Sequence, residues 1–239
     1  GELINTYGYN LEPGSKELTA LNYYTNEEIT IPLDPTQTPG ENAQRYFAKY
    51  NKQKRTFEAL TELIRETADD IQYLESISNA LDIALSEADL AQIKEELMLS
   101  GYIRRKHTKK KVKLTSKPMH YISSDGYDMY VGKNNLQNEE LTFSFANGND
   151  WWFHAKGAPG SHVIVKSGGD ELPDQTFEEA GRLAAYYSKN RGADKVEIDY
   201  IQKKHVKKPN GAKPGFVVYY TNYSLVIDSD ISNIKNVQD

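Results

Sequence analysis

Between Pro39 and Leu85 the chain has no further proline and, past Gly40, no glycine. Read in heptads, positions a and d of this stretch are Ala43, Tyr46, Tyr50, Gln53, Phe57, Leu60, Ile64, Thr67, Ile71, Leu74, Ser78, Leu81 and Leu85. Ten of these thirteen are apolar, and Glu, Lys and Arg crowd the positions between them. That is the pattern of a coiled-coil stripe, and it predicts one helix roughly 70 Å long at 1.5 Å per residue. Thr38-Pro39 with Glu41 is a good start for it, with Thr as the N-cap and Pro at the first position. A single helix cannot bury such a stripe. The expected cover is an antiparallel helix from an upstream half of the same protein, or a second copy of the chain.

Around this arm the pattern changes. Residues 1–38 hold short strand candidates at 3–9 and 28–33, punctuated by Pro13-Gly14, Pro32 and Pro35. They are too few for an independent core and read as a small β element at the arm. Ser86-Glu87-Ala88-Asp89 resembles a capping box and opens a short second helix over 87–100, with Gly101 as its stop. Residues 104–113, RRKHTKKKVK, carry seven Lys or Arg in ten. They read as a basic linker, 104–118, whose Arg104, Arg105, Lys106, Lys109, Lys110 and Lys111 form a phosphate-contacting hinge.

Beyond the linker, strand-like segments are expected at 127–131, 141–145, 162–166 and 196–201. A hairpin is expected from 216–220 and 224–227, and a frayed tail after Asp228. Thr176 and Glu179 suggest a capping box opening an amphipathic helix to about Asn190, with Ala180, Leu183, Ala184 and Tyr187 on its buried face. The sum is an α+β chain: a long coiled-coil helix arm, then a mixed, mostly antiparallel sheet with one main helix.

The densest chemistry lies in DWWFHAKGAPGSH, residues 150–162. Neighbouring side chains of a strand point to opposite faces, so Trp151 and Trp152 cannot enter the same core. Asp150, His154, Lys156, Ser161 and His162 are expected to converge on one polar surface floored by aromatic rings. Catalysis finds little support here. Ser161 and His162 are adjacent and point apart, and there is no G-x-S-x-G elbow, Walker loop or G-x-G-x-x-G. The histidines lack a third ligand at zinc-like spacing, so neither a metal nor another cofactor is expected. The absence of cysteine removes thiol chemistry and disulfides. No segment approaches a membrane-spanning length. The chain reads as a binding module, not an enzyme.

Three blocks, YVGKNNLQNE (130–139), DWWFHAKGAPGSHVIV (150–165) and VKKPNGAKPGFVVYY (206–220), resemble the NFACT-R domain of the RqcH/NEMF family. The resemblance covers about residues 121–227, and the coiled-coil stretch upstream fits the same layout. It implies a domain parse: a small β element (1–38), the arm with its second helix (39–103), the basic linker (104–118) and an NFACT-R-like α+β domain (119–239). It also implies a cytoplasmic role in ribosome quality control. The partners would be tRNA and an obstructed large ribosomal subunit, in support of C-terminal alanine tailing of stalled peptides. The tailing itself would need regions that this chain lacks. RNA contacts would fall on Lys133, Asn134, Asn135, Asp150, Trp151, Trp152, His154, Lys156, Ser161, His162, Lys207, Lys208, Asn210 and Lys213. The alternative that the resemblance implies is an anchorless cell-surface adhesin binding fibronectin.

Charge agrees with a polyanion partner for one half. The net charge of −5 divides into −10 over residues 1–101 (8 Lys and Arg against 18 Asp and Glu) and +5 over residues 102–239 (21 against 16).

Overall fold

The computed structural model describes residues 1–104 and 115–237. They form two compact units, Gly1–Asp69 and Asp70–Asp239.

In the first unit, helix α1 (Glu2–Tyr7) leads through a 3-10 turn to a hairpin of strands β1 (Glu17–Asn22) and β2 (Glu27–Pro32). Residues 3–9 are therefore helical, not the expected strand. Leu3, Ile4 and Tyr7 share one helical face and pack with Leu18, Ala20, Ile31 and Leu33 of the hairpin side. Ala43 and Tyr46 from the start of helix α2 (Pro39–Ile83) complete that small core. The helix begins as its sequence requires. The Glu41 carboxylate accepts from the Thr38 amide at 2.7 Å, and the Thr38 hydroxyl accepts from the Glu41 amide at 3.3 Å. Further along, the heptad stripe lies in solvent, with Tyr50, Phe57, Leu60 and Ile64 all exposed.

The second unit receives the end of α2 and helix α3 (Glu87–Leu99), whose capping box of Ser86 and Asp89 is present in both directions. Here too the stripe is outside, at Ile71, Leu74, Leu81 and Leu85. What α2 buries is a different face, Tyr73, Ile77 and Ala80, packed with Ile93 of α3. That face lies about 100° round the helix from the stripe at 3.6 residues per turn. The two faces differ: one packs within this unit, and one has no partner among the described residues.

The sheet has seven strands in the order β8-β7-β5-β6-β4-β3-β9. These are β3 (Met119–Ile122), β4 (Asp128–Val131), β5 (Trp151–Ala155), β6 (Val163–Val165), β7 (Val196–Gln202), β8 (Tyr223–Ile227) and β9 (Lys235–Asn236), all paired antiparallel. Helix α4 (Asn135–Glu140) and helix α5 (Asp174–Tyr186) cover opposite faces. The register sorts the tryptophans as strand alternation demands. Trp152 stands opposite Ile164 and Ile201, under α4; Trp151 stands opposite Val165, on the α5 side with Phe153.

Four expectations for this unit are corrected. Residues 141–145 continue α4 as a π-helical turn. The turn keeps Leu141 and Thr142, neighbours in sequence, both buried, which a strand cannot do on one face. Thr176 and Glu179 do not cap α5, whose N-cap is Pro173. Instead, Thr176 donates to Asp125 at 2.7 Å, and Glu179 accepts the Ser124 amide at 2.8 Å, so both bind a loop across the domain. Residues 216–220 form no hairpin with β8; Val218 makes a single bridge to Lys207, and β8 pairs with β7. The tail is tied down, with Ile234 buried and β9 added to β3.

Candidate nucleic-acid interface

Several residues expected on a binding surface are structural. Asn134 caps α4, accepting the Gln137 amide at 2.9 Å, and its amide group donates to Gln92 of α3 at 2.8 Å. Asn135 donates to Ser76 of α2 at 2.7 Å and Glu96 of α3 at 2.8 Å. Lys133 reaches Asp89 at 3.2 Å. Burial opposes the Asp89 charge. Bonds from Ser116, Leu85, Ser86 and Lys133 nevertheless hold its carboxyl down to about 2. The block 130–139 is thus a polar fastening between the sheet and two helices. A ligand that took Asn134 or Asn135 would leave buried helix groups unpaired.

The second block is likewise mostly inward. Asp150 is buried and accepts Lys166 at 2.5 Å, the Asn147 amide at 2.7 Å and the Ser167 amide at 3.2 Å. Trp152 is wholly buried. Ser161 is buried, and its amide donates to the Tyr187 carbonyl at 2.9 Å. His162 is buried, with ring Nδ1 2.8 Å from the Thr142 hydroxyl. His154 lies 5.4 Å from His162, ring to ring, and stacks on Trp152 at 5.6 Å. Burial pushes the His154 imidazole down to about 4 and the His162 imidazole well below its usual range; in His162 the neighbouring His154 adds to the effect. Both rings are neutral at pH 7 and form the wall of a cleft of about 190 Å³ with Ser76, Asn138 and Tyr219. Of the residues expected to converge, His154 and His162 meet over Trp152, with Trp152 and His162 buried and His154 half-buried. Trp151 and Lys156 lie elsewhere. Trp151 packs edge-on to Phe177 at 4.9 Å, and Lys156 pairs with Glu197 at 2.5 Å.

In the third block Lys208 pairs with Glu139 at 2.7 Å. Lys213 contacts the Asp70 carboxylate and donates to the Tyr102 hydroxyl at 2.9 Å, with the Tyr73 ring beneath it. It pins its loop to α2 and is not a free phosphate ligand. Lys207 and Asn210 are exposed, and Lys207 has no ion pair among the described residues. Arg104 is exposed; Arg105, Lys106, Lys109, Lys110 and Lys111 lie outside the described residues.

A different basic surface emerges on the α4 side. Lys166 lies 4.8 Å from the Phe145 ring centre and Lys203 lies 5.8 Å from that of Phe143. The two rings are two residues apart on one π-helical turn, so cations flank a single aromatic segment. Next to Phe145, His120 stacks on Tyr130 at 4.5 Å with ring planes 3° apart. His120, Tyr130 and Phe145 line a cleft of about 570 Å³ together with Lys117, Lys133 and Glu140. Lys204 and His205 are exposed at the 3-10 turn Lys203–His205. Rings that accept unstacked bases beside lysines that meet phosphates are what single-stranded or looped RNA requires. Sequence reasoning passed over His120, Phe143, Phe145, Lys166, Lys203 and Lys204 as site residues. The available signal was the basic run 203–208, whose first two lysines precede the segment that resembles the family. Among the described residues no group of three His, Asp or Glu could hold a metal ion, and no helix is long and apolar enough to cross a membrane.

Comparison with known proteins adds to this geometry. Residues 1–116 match the NFACT N-terminal and middle domains, and residues 117–221 match the NFACT protein RNA binding domain. The chain is 43% identical over 239 residues to the Rqc2 homolog RqcH of Streptococcus suis, covering 100% of this chain and 43% of that protein. It is 42% identical over 241 residues to the Rqc2 homolog RqcH of Bacillus subtilis, covering 98% and 41% respectively. It thus spans less than half the length of these relatives. Among solved structures, the C-terminal part of the fibronectin/fibrinogen-binding protein of Streptococcus suis superposes with a TM-score of 0.75. The two are 43% identical, over 83% of this chain and 80% of that one.

Proposed function

Since the chain belongs to the NFACT family, the RqcH/NEMF proteins of ribosome quality control, we propose that it is the part of such a factor that grips RNA. Its partners in this reading are tRNA and the obstructed large ribosomal subunit. It supports C-terminal alanine tailing of stalled peptides as a non-enzymatic module of the longer protein, working in the cytoplasm. Residues 119–239 hold the RNA, 104–118 form a basic linker, and 39–103 form an arm. The exposed stripe of the arm is covered by the upstream half of the same protein.

The observation that carries the RNA reading is the pair of lysine–phenylalanine contacts on one turn, Lys166 over Phe145 and Lys203 over Phe143, beside the His120–Tyr130 stack. The rings take bases, Lys203, which has no ion pair among the described residues, takes a phosphate, and Lys166, held by Asp150, keeps a cation against the Phe145 ring. The excess of positive charge over residues 102–239 favours approach of a polyanion.

A second reading, fibronectin binding, is favoured by one observation. The solved structure that superposes on this chain is described as part of a fibronectin/fibrinogen-binding protein. Titration of labelled tRNA and of fibronectin against the chain at low and moderate salt separates the two. RNA binding that weakens steeply with salt is expected from counterion release. No binding at micromolar RNA, or binding insensitive to salt, would overturn the first reading, and fibronectin binding without RNA binding would establish the second.

A further inference from the structure

On the α5 side, away from the lysine-flanked turn, four aromatic rings line an open cavity of about 440 Å³: Trp151, Phe177, Tyr200 and Tyr223. Phe177 lies 5.3 Å from Tyr200 and Tyr200 lies 5.6 Å from Tyr223, centre to centre, so the rings form a continuous wall. The same cavity is rimmed by Asp170, Glu171 and Asp174, all exposed. Among the described residues no Lys or Arg pairs with these carboxylates or lies over these rings. Asp174 stands in the first turn of α5, where a negative charge has a structural use. Asp170 and Glu171 precede the helix and have no such role.

An aromatic box attracts cations through the ring quadrupoles, and carboxylates at its rim add to the attraction. The guanidinium group suits such a box better than an ammonium, because it is planar, weakly hydrated and stacks on rings. A third feature selects the form of the ligand. Tyr223 opens β8, the outermost strand at this end of the sheet among the described residues, so an extended peptide could pair along its outer edge while a side chain enters the box.

We infer that this cavity is a docking site for an arginine-bearing extended segment of a protein partner. The site is independent of the RNA surface, which lies on the opposite face and carries the opposite charge.

The test is calorimetric titration of capped hexa-arginine, hexalysine and hexaglutamate peptides into the chain. The variants are Tyr223→Ala, the pair Asp170→Asn with Glu171→Gln, and, as a remote control, Glu58→Gln with Glu62→Gln in the acidic first unit. Hexa-arginine should bind more tightly than hexalysine, and hexaglutamate should not bind. Tyr223→Ala changes no charge, and the loss of one ring should weaken hexa-arginine about threefold. The Asp170/Glu171 pair should weaken it further, while the Glu58/Glu62 control should leave it unchanged. Tyr223 is largely exposed, so its removal leaves the core intact, and circular dichroism of each variant checks this. Absence of hexa-arginine binding overturns the inference. So does equal affinity in wild type and Tyr223→Ala, because the peptide would then be held by diffuse charge alone. RNA titrations of the same variants should match wild type. Failure of RNA binding altogether would remove the proposed function and leave this site standing.

Discussion

The Lys213 ammonium sits 4.6 Å from the centre of the Tyr73 ring, at the junction between a Pro- and Gly-braced loop and helix α2. Tyr102 offers a second ring at 5.1 Å and a hydroxyl at 2.9 Å. Burial works against the charge, and the Asp70 and Tyr102 bonds outweigh it, so the ammonium is held above its usual range. Lys213→Ala should therefore lower unfolding stability by about 1 kcal/mol, because the rings and the hydroxyl lose their cation. Denaturant melts check this. An unchanged midpoint would return Lys213 to the solvated surface and make it available to RNA.

Gly132 supports a second prediction. A Cβ built there would meet the Asn138 side-chain oxygen at 2.2 Å and the Asn138 amide at 3.0 Å. Asn138 cannot retreat freely, because its side-chain oxygen accepts the His162 amide at 2.9 Å and its carbonyl lies 3.2 Å from the His162 ring. Gly132→Ala should cost about 2–3 kcal/mol, as overpacking with loss of a buried hydrogen bond does. Gly126→Ala is a useful contrast. That glycine has a φ of +91° but nothing within 4 Å, so only backbone strain of about 1 kcal/mol is expected. Equal destabilisation by the two substitutions would show that crowding at Asn138 plays no part.

Helices α2, α3 and α5, most strands and the opposed tryptophans were legible because periodicity reports them directly, whereas the short helices α1 and α4 were not. The heptads found α2, and alternation sorted Trp151 from Trp152. The site was less legible, for a physical reason. Asn134, Asn135, Asp150 and His162 are polar residues in loop-like sequence, which reads as surface; their partners, Gln92, Ser76, Ser167 and Thr142, are distant in sequence. Nothing local tells a buried, satisfied amide from an exposed one. Likewise Phe143 and Phe145 alternate as a strand would, and only the continuation of α4 through a π turn sets them beside lysines from the end of β6 and the 203–205 turn. Lys213 misled because a rigid loop presents charge equally well to a phosphate or to its own helix.

The imidazoles of His154 and His162 predict how stability varies with pH. Their folded pKa values lie below the usual value of about 6.5, at about 4 for His154 and well below the usual value for His162. Between those values the unfolded chain binds protons that the folded chain refuses, so stability falls as pH drops below about 6.5 and keeps falling to about 4. The slope approaches about 1.4 kcal/mol per pH unit for each histidine. Glu96 acts with the opposite sign, because burial pushes its carboxyl up. The decisive measurement is therefore a difference. Melts of wild type and His162→Gln between pH 7.5 and 5 should show a shallower slope in the variant, whatever its absolute stability. Parallel slopes would mean that His162 is solvated in the native state.

The last prediction separates the two parts of the proposed RNA surface. Lys203, Lys204 and Lys207 have no ion pair among the described residues, so replacing all three with Ala should change stability by no more than about 0.5 kcal/mol per site. RNA affinity should fall, and the slope of log affinity against log salt should shrink. The change should be about 0.7 for each phosphate no longer neutralised if the bound RNA is single-stranded, or about 0.9 if duplex. Phe145→Ala removes a half-exposed ring and no charge. It should weaken RNA by about 1–3 kcal/mol, the worth of one stacked base, while leaving the salt slope unchanged. Lys166 is unsuitable for this purpose, since its loss would leave the buried Asp150 carboxylate without its cation. Fibronectin supplies the control ligand, and its binding should be the same in all three proteins if it belongs to the arm. A Phe145→Ala chain that binds RNA as wild type does would reduce this surface to a field of charge. A triple-lysine variant with an unaltered slope would move the RNA to another face of the domain.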